Sequence, residues 1–376
     1  MLRAGLLLAL AGLLPAMPGM SSPAAAAAAP AAPGVSAYAL MQGTLVLSPS
    51  DAWIVGWEGV TDSTELFSVA FHWNGHTWAR VSSATPGANL NGLQGVSATG
   101  PSDVWAVGFE GPGTFIEHYN GRKWATVPNP ADGQAGQLNG VDARTRSDAW
   151  AVGWTTPSSG IPTTLAEHWN GRRWAQVAMP SVSGSLPELN SVLDLGPGNV
   201  LAVGDYQTTS HGTTVSHELA EHWNGRAWRR VGVPALSTGS FLTGISGEAS
   251  TGVTAVGAAV SSSHNIPLIE HWTGTRFVRV TQPVSSGEFN AVTVVHRTDA
   301  YAVGQTDNGK TFMEHYNGKR WTAVSTPGPG DDAYFVGVGA APSGSFVEAV
   351  GTHGPSNAER YLIVQGNGRT WHIAHQ

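Results

Sequence analysis

Five Glu-His pairs recur along the chain: Glu117-His118, Glu167-His168, Glu221-His222, Glu270-His271 and Glu314-His315. A carboxylate beside an imidazole is the pairing used for metal ligation and for acid–base catalysis. The surroundings argue against both. Each pair ends a short apolar run of strand type, and neighbours on a strand point to opposite faces. Glu and His of one pair therefore cannot converge on one ion. A chemical site is also not normally copied five times. The residues His118, His168, His222, His271 and His315 are read as hydrogen-bonded residues between repeating units. Asp51, Asp103, Asp148 and Asp299 each open another apolar run and read as turn residues that bond local backbone amides. No metal site and no cofactor are expected.

The pairs belong to a larger repeat. A Val-Gly step closes an apolar run at Gly56, Gly108, Gly153, Gly204, Gly257, Gly304 and Gly351, at intervals of 45–53 residues. A His-Trp/Tyr-Asn-Gly motif follows each step in the first six units, with Thr273 for Asn in the fifth, and a degraded Gln365-Gly366-Asn367-Gly368 in the seventh. Three residues past its Gly stands Trp78, Trp124, Trp174, Trp228, Phe277, Trp321 or Trp371. Within the second unit, 93–98, 103–109, 114–119 and 123–127 read as four strands, a to d, bounded by Gly, Pro, Asn and Ser. Asn120-Gly121 between c and d reads as a tight hairpin turn in which both residues tolerate positive φ.

Four short strands repeated about every 50 residues define the blade of a β-propeller. The fold class is all-β, a seven-bladed β-propeller with four antiparallel strands per blade. The blades are expected near 43–84, 91–130, 138–180, 189–234, 241–283, 288–327 and 334–376, with 33–42 a short linker or closing segment. The Trp or Phe after each c–d turn is read as interblade core, since burying one removes roughly 150–250 Å² from water.

The whole sequence of 376 residues has 48 Gly, 23 Pro and no Cys, and carries a net charge of −7. Nucleic-acid binding calls for a basic excess, which is missing. Disulfide scaffolds, zinc–thiolate sites and thiol nucleophiles need Cys. A hydrophobic content of 41% argues against disorder. Residues 1–32 show Arg3, the apolar run from Ala4 to Leu14, and the small residues Ala24 to Ala29. That order is expected of a cleaved secretory signal, and no membrane span is expected after cleavage. The localisation expected is secreted or extracellular.

The unit resembles the kelch repeat of galactose-oxidase-type propellers at Trp105-Ala106-Val107-Gly108, at Glu117-His118-Tyr119-Asn120-Gly121, and at Trp124 and Pro128. The resemblance covers about residues 43–375 and is that of a divergent, secreted bacterial-type variant. The second Gly of the kelch pair is replaced by Trp57, Phe109, Trp154, Asp205, Ala258, Gln305 and Thr352, and Tyr-Asp by Trp/Tyr-Asn. The copper and Cys–Tyr chemistry of galactose oxidase is excluded here, because the chain has no Cys.

The b–c and d–a links are long and variable and share one face, which is where function is expected. Trp57, Phe109 and Trp154 follow strand b in adjacent blades and could stack on sugar rings, with Asp205 and Gln305 as polar partners at the same position. Acidic residues gather in the loops at Glu58, Asp62, Glu65, Glu110, Asp205, Asp331 and Asp332, and the fourth blade adds His211, His217 and Glu218. The expected function is a secreted, non-enzymatic module that binds a polysaccharide or a surface protein through this face. The alternative is an extracellular glycan hydrolase or lyase with acids at the propeller mouth.

Overall fold

The computed structural model describes residues 38–374 except 60–64, 85–89, 237, 262–263, 331 and 356–358. Residues 1–32, expected as a cleaved signal, Asp62 and Asp331 lie outside the described residues. The described chain forms seven four-stranded antiparallel sheets, each from consecutive strands. The innermost strands a are Tyr38–Ser48, Asn91–Gly100, Ala135–Thr145, Ser185–Asp194, Ser240–Glu248, Glu288–His296 and Ala333–Ala340. Each packs on the next, and the first on the last, so the ring closes. Among the described residues, no blade is shared between the first and last strands. Residues 38–42, expected as a linker or closing segment, form the start of strand a of blade 1, which begins at Tyr38. Strands a of blades 3 and 4 also start earlier than expected, at Ala135 and Ser185.

Strand b is the most buried element, because it lies between two neighbouring blades. Asp103–Glu110 is buried at every position but Glu110. Strand d, at Trp78–Val81 or Trp124–Thr126 for example, buries chiefly its first residue. Those residues, Trp78, Trp124, Trp174, Trp228, Phe277 and Trp321, are all at most 7% exposed. Trp371 is half-buried.

The recurring Val-Gly step has a geometric cause. Strand a carries one extra residue, a bulge, at Gln42, Gln94, Asn139, Asn190, Thr243, Asn290 or Val336. The bulge presses the strand a backbone onto strand b opposite Gly56, Gly108, Gly153, Gly204, Gly257, Gly304 and Gly351. A Cβ at any of the seven would overlap a strand a carbonyl oxygen. The bulge residues also clamp the ring about its axis. Asn139 Nδ2 donates to Leu189 O at 2.9 Å, Asn190 Nδ2 to Leu242 O at 2.8 Å, Thr243 Oγ1 to Phe289 O at 2.8 Å, and Asn290 Nδ2 to Phe335 O at 2.7 Å.

The Glu-His pairs split as the strand period requires, with Glu fully buried and His part-exposed, or exposed at His271. The partners differ from expectation. His118, His168 and His315 donate from Nε2 to Asp103, Asp148 and Asp299 of their own blade at 2.6–2.8 Å, and His222 to Asn199 at 2.9 Å. The aspartates are thus ligands of the imidazole within a blade. The residue that joins blades is the glutamate. Glu117 accepts the Ala84 N–H from the end of blade 1 at 2.8 Å, Glu167 the Ala131 N–H at 3.2 Å, and Glu314 the Val284 N–H at 3.2 Å.

The c–d turn also departs from expectation. Only its glycine takes positive φ, for example +87° at Gly121. The Asn instead caps a four-residue loop: Asn120 Oδ1 accepts the N–H groups of Arg122 and Lys123 at 3.1 and 3.2 Å. This is the Asx-type local bonding that favours Asn in turns.

Candidate ligand pocket on the variable-loop face

The long links share one face, as backbone bonds between b–c loops and d–a links show: Val260 N–H donates to Gly239 O, Gly287 N–H to Asn265 O, and Ala333 N–H to Gly309 O. Trp57, Phe109, Trp154, Asp205 and Gln305 all lie where strand b reaches this face. Trp57 and Phe109 come together, but inward. They are 4% and 9% exposed and share an apolar cluster with Leu40 and Leu66. Gly92 makes the room, since a Cβ there would sit 2.8 Å from both rings. The open stacking faces expected of these two rings are therefore covered. Trp154 is half-buried. Asp205 is 1% exposed and lies in register between Glu188 and Glu218.

Gln305 is the predicted residue that reaches a cavity. A pocket of about 660 Å³ spans blades 4 to 7, lined by Gln207, Asn265, Glu288, Gln305, Asp307 and Asp332 among others. Strand a of blade 6 begins at Glu288 and strand b ends at Gln305, which puts the two side by side. Glu288 accepts from Gln305 Nε2 at 2.7 Å and from Asn265 Nδ2 at 2.9 Å. Asp307 accepts from Ser286 Oγ at 2.5 Å and from the Asn265 N–H at 3.3 Å. Two carboxylates are thus oriented by amides and a hydroxyl on one wall. Asn265, Glu288 and Asp307 escaped the sequence reading, because they come from three separate segments that only the blade 5–6 packing unites.

Asp332, another of the candidate acids, lines the same pocket, while Glu58 and the blade 4 residues His211, His217 and Glu218 are engaged elsewhere. Glu58 pairs with Arg80 at 2.5 Å. His211 bonds Ser210 at 3.0 Å and His217 bonds Thr208 at 2.7 Å, while Glu218 turns inward toward Arg279 at 3.5 Å. Glu218 and Glu270 hydrogen-bond each other between blades 4 and 5. Burial pushes Glu270 up to about 8, with the Glu218 charge adding to the shift. Both side chains are at most 1% exposed. Burial likewise pushes Glu117, Glu167, Glu221, Glu314 and Glu348 up to about 7.

No family model matches the chain, and no curated protein matches it. Solved propellers do. YCF48 from Cyanidioschyzon merolae is 15% identical, with a TM-score of 0.53 over 89% of this chain and 97% of that one. A polysaccharide lyase, an ulvan lyase bound to a saccharide, is 10% identical, with a TM-score of 0.54 over 90% and 97%. The WD40 repeats of RRP9 are 10% identical, with a TM-score of 0.52 over 83% and 87%. Identities this low show the fold alone. It is a seven-bladed β-propeller.

Proposed function

We propose that the protein is a secreted binding module that recognises a polysaccharide through its variable-loop face, with the pocket around Glu288 as the sugar site. The observation that carries this reading is the Glu288 carboxylate held between the Gln305 and Asn265 amides on the pocket wall. Sugar hydroxyls both donate and accept. A wall that alternates carboxylate acceptors with amide N–H donors answers both needs, and fixing those groups beforehand lowers the ordering cost of binding. The secretion reading rests on the order of residues 1–32, and N-terminal sequencing of protein recovered from the culture medium tests it.

The test is binding of the mature protein to a panel of soluble and insoluble polysaccharides, beside Gln305→Ala and Asn265→Ala variants that still melt cooperatively. Binding by the parent that drops at least about tenfold in both variants supports the site, since a lost charge-assisted bond costs on the order of 1.5–3 kcal/mol. Binding left intact in both variants would move the site elsewhere. No binding to any glycan would favour a surface protein as partner.

A second reading, a glycan hydrolase or lyase, is favoured by Glu288 and Asp307 lining one pocket. Both carboxylates already accept hydrogen bonds, which suits an ionised acceptor better than a general acid. Sugar release in the same tubes, lost in Glu288→Gln, would establish the enzyme.

A further inference from the structure

The face opposite the pocket, where the short a–b and c–d turns lie, carries a series of interblade slots. In three of them strand b supplies an indole. Trp53 of blade 1 packs against Tyr119 and Trp124 of blade 2, with ring centroids 4.8 and 5.3 Å apart. Trp105 packs against Trp169 and Trp174 at 4.9 and 5.2 Å, and Trp150 against Trp223 and Trp228 at 5.4 and 5.3 Å. In each case the indole also lies on the His of its own blade, at 4.3–4.5 Å. Blade 4 has Leu201 at the same place, packed in a cluster with Trp272 and Phe277. Blade 6 has Tyr301, 6.0 Å from Trp371.

Blade 5 breaks the pattern twice. Counting back from the Val-Gly step, Thr254 stands where blades 1–3 have Trp, blade 4 Leu201, blade 6 Tyr301 and blade 7 Glu348, and Gly252 where blades 1–3 and 6 have the Asp and blade 4 the Asn that holds the His. The facing residues of blade 6, Tyr316 and Trp321, are kept. The result is a cleft of about 730 Å³ lined by Gly252, Thr254, His271, Trp272, Tyr316 and Trp321 among others. His271 is exposed, and Gly252 offers its imidazole no acceptor of the kind that Asp103 gives His118. The slot has kept the walls that hold an indole elsewhere in this chain and has lost the indole.

We infer that this cleft binds an aromatic side chain, tryptophan before tyrosine, presented by a polypeptide partner. The ring would take the position of the missing strand b indole, edge-on to Trp321 and lying on His271, as Trp53 lies on His72 and meets Trp124. The cleft is larger than one ring and falls in the range of ~300–1,000 Å³ typical of ligand sites, so residues flanking the aromatic fit as well. His296, Arg297 and Glu248 on the rim supply polar groups for their backbone. This inference concerns the opposite face and stands independently of the sugar reading.

The test uses the mature chain and three capped probes: acetyl-tryptophanamide, the tripeptide Gly-Trp-Gly and the tripeptide Gly-Leu-Gly, read by saturation-transfer NMR and by the His271 imidazole resonance. The expected result is saturation of the indole protons, a ring-current shift of the His271 signal, and at least about fivefold tighter binding of Gly-Trp-Gly than of Gly-Leu-Gly. Thr254→Trp, which restores the chain's own ring, is expected to abolish binding and to raise the Tm. Thr254→Leu, the residue type blade 4 uses there, provides a second and smaller blocking variant should the first fold poorly. Equal binding of the two tripeptides, or binding unchanged in a folded blocking variant, would overturn the aromatic assignment. Acetyl-tryptophanamide binding as tightly as Gly-Trp-Gly would overturn the polypeptide partner in favour of a free indole compound.

Discussion

Glu117 of blade 2 accepts the Ala84 backbone N–H of blade 1 at 2.8 Å while fully buried and facing no cation. The ring is therefore sewn in part by buried acids whose surroundings favour the protonated form. Burial raises Glu117 and Glu348 to about 7 in the folded protein, against an ordinary value of 4.5. The folded state keeps these protons over a range in which the unfolded chain has released them. Their contribution to stability is complete below about pH 4.5 and is lost as pH rises through about 7. Thermal melts should give a higher Tm at pH 5 than at pH 8. Glu117→Gln and Glu348→Gln, which keep an acceptor oxygen and remove the titration, should flatten that dependence.

Replacing the strand b glycines tests the bulge. Gly153 lies against the Gln137 carbonyl with no space for a methyl. Gly153→Ala should lower stability by more than about 2 kcal/mol, since the overlap is with backbone rather than with a movable side chain. Gly100, with open space around its Cα, is the control, and Gly100→Ala should melt close to the parent.

The His–Asp pairs allow a graded test, because blade 4 already uses Asn199 in place of Asp. Asp103→Asn should cost less than about 0.5 kcal/mol, while Asp103→Ala strands the His118 N–H and should cost about 1–2 kcal/mol. Denaturant titration of both variants separates a need for an acceptor from a need for a charge.

Repeated aromatics should differ in weight according to burial. Trp174 is 4% exposed, and Trp174→Ala should cost about 3–5 kcal/mol. Trp371, half-buried on the last strand, should cost clearly less. Equal losses would mean that the last blade packs more tightly than its exposure indicates.

Much of the fold was legible because it is local. Gly56 through Gly351 and Trp78 through Trp371 mark strands by spacing alone, and a four-strand meander leaves few ways to connect them. The bulge was not legible, since Gln42 or Asn139 is an ordinary polar residue until its register with strand b is known. The His–Asp bonds were missed for the same reason: His118 and Asp103 meet only once two antiparallel strands are aligned. At the variable face, position was read correctly and orientation was not. Trp57 and Phe109 turn inward because Gly92, seventeen residues before Phe109, leaves a hollow beneath them. Gln305 reaches the pocket, but its companions Asn265, Glu288 and Asp307 carry no signature that separates them from other loop polar residues.

Because every blade is one unbroken stretch of chain, the ring has a seam. Blade 7 meets blade 1 through face packing, the Ala39 N–H to Glu359 O bond and the Thr44 to Glu348 bond. A pull on the two chain ends would load that junction before any covalent blade-to-blade link bears strain. Under tension the molecule should unzip from the seam one blade at a time, giving a staircase of small extensions rather than a single rupture.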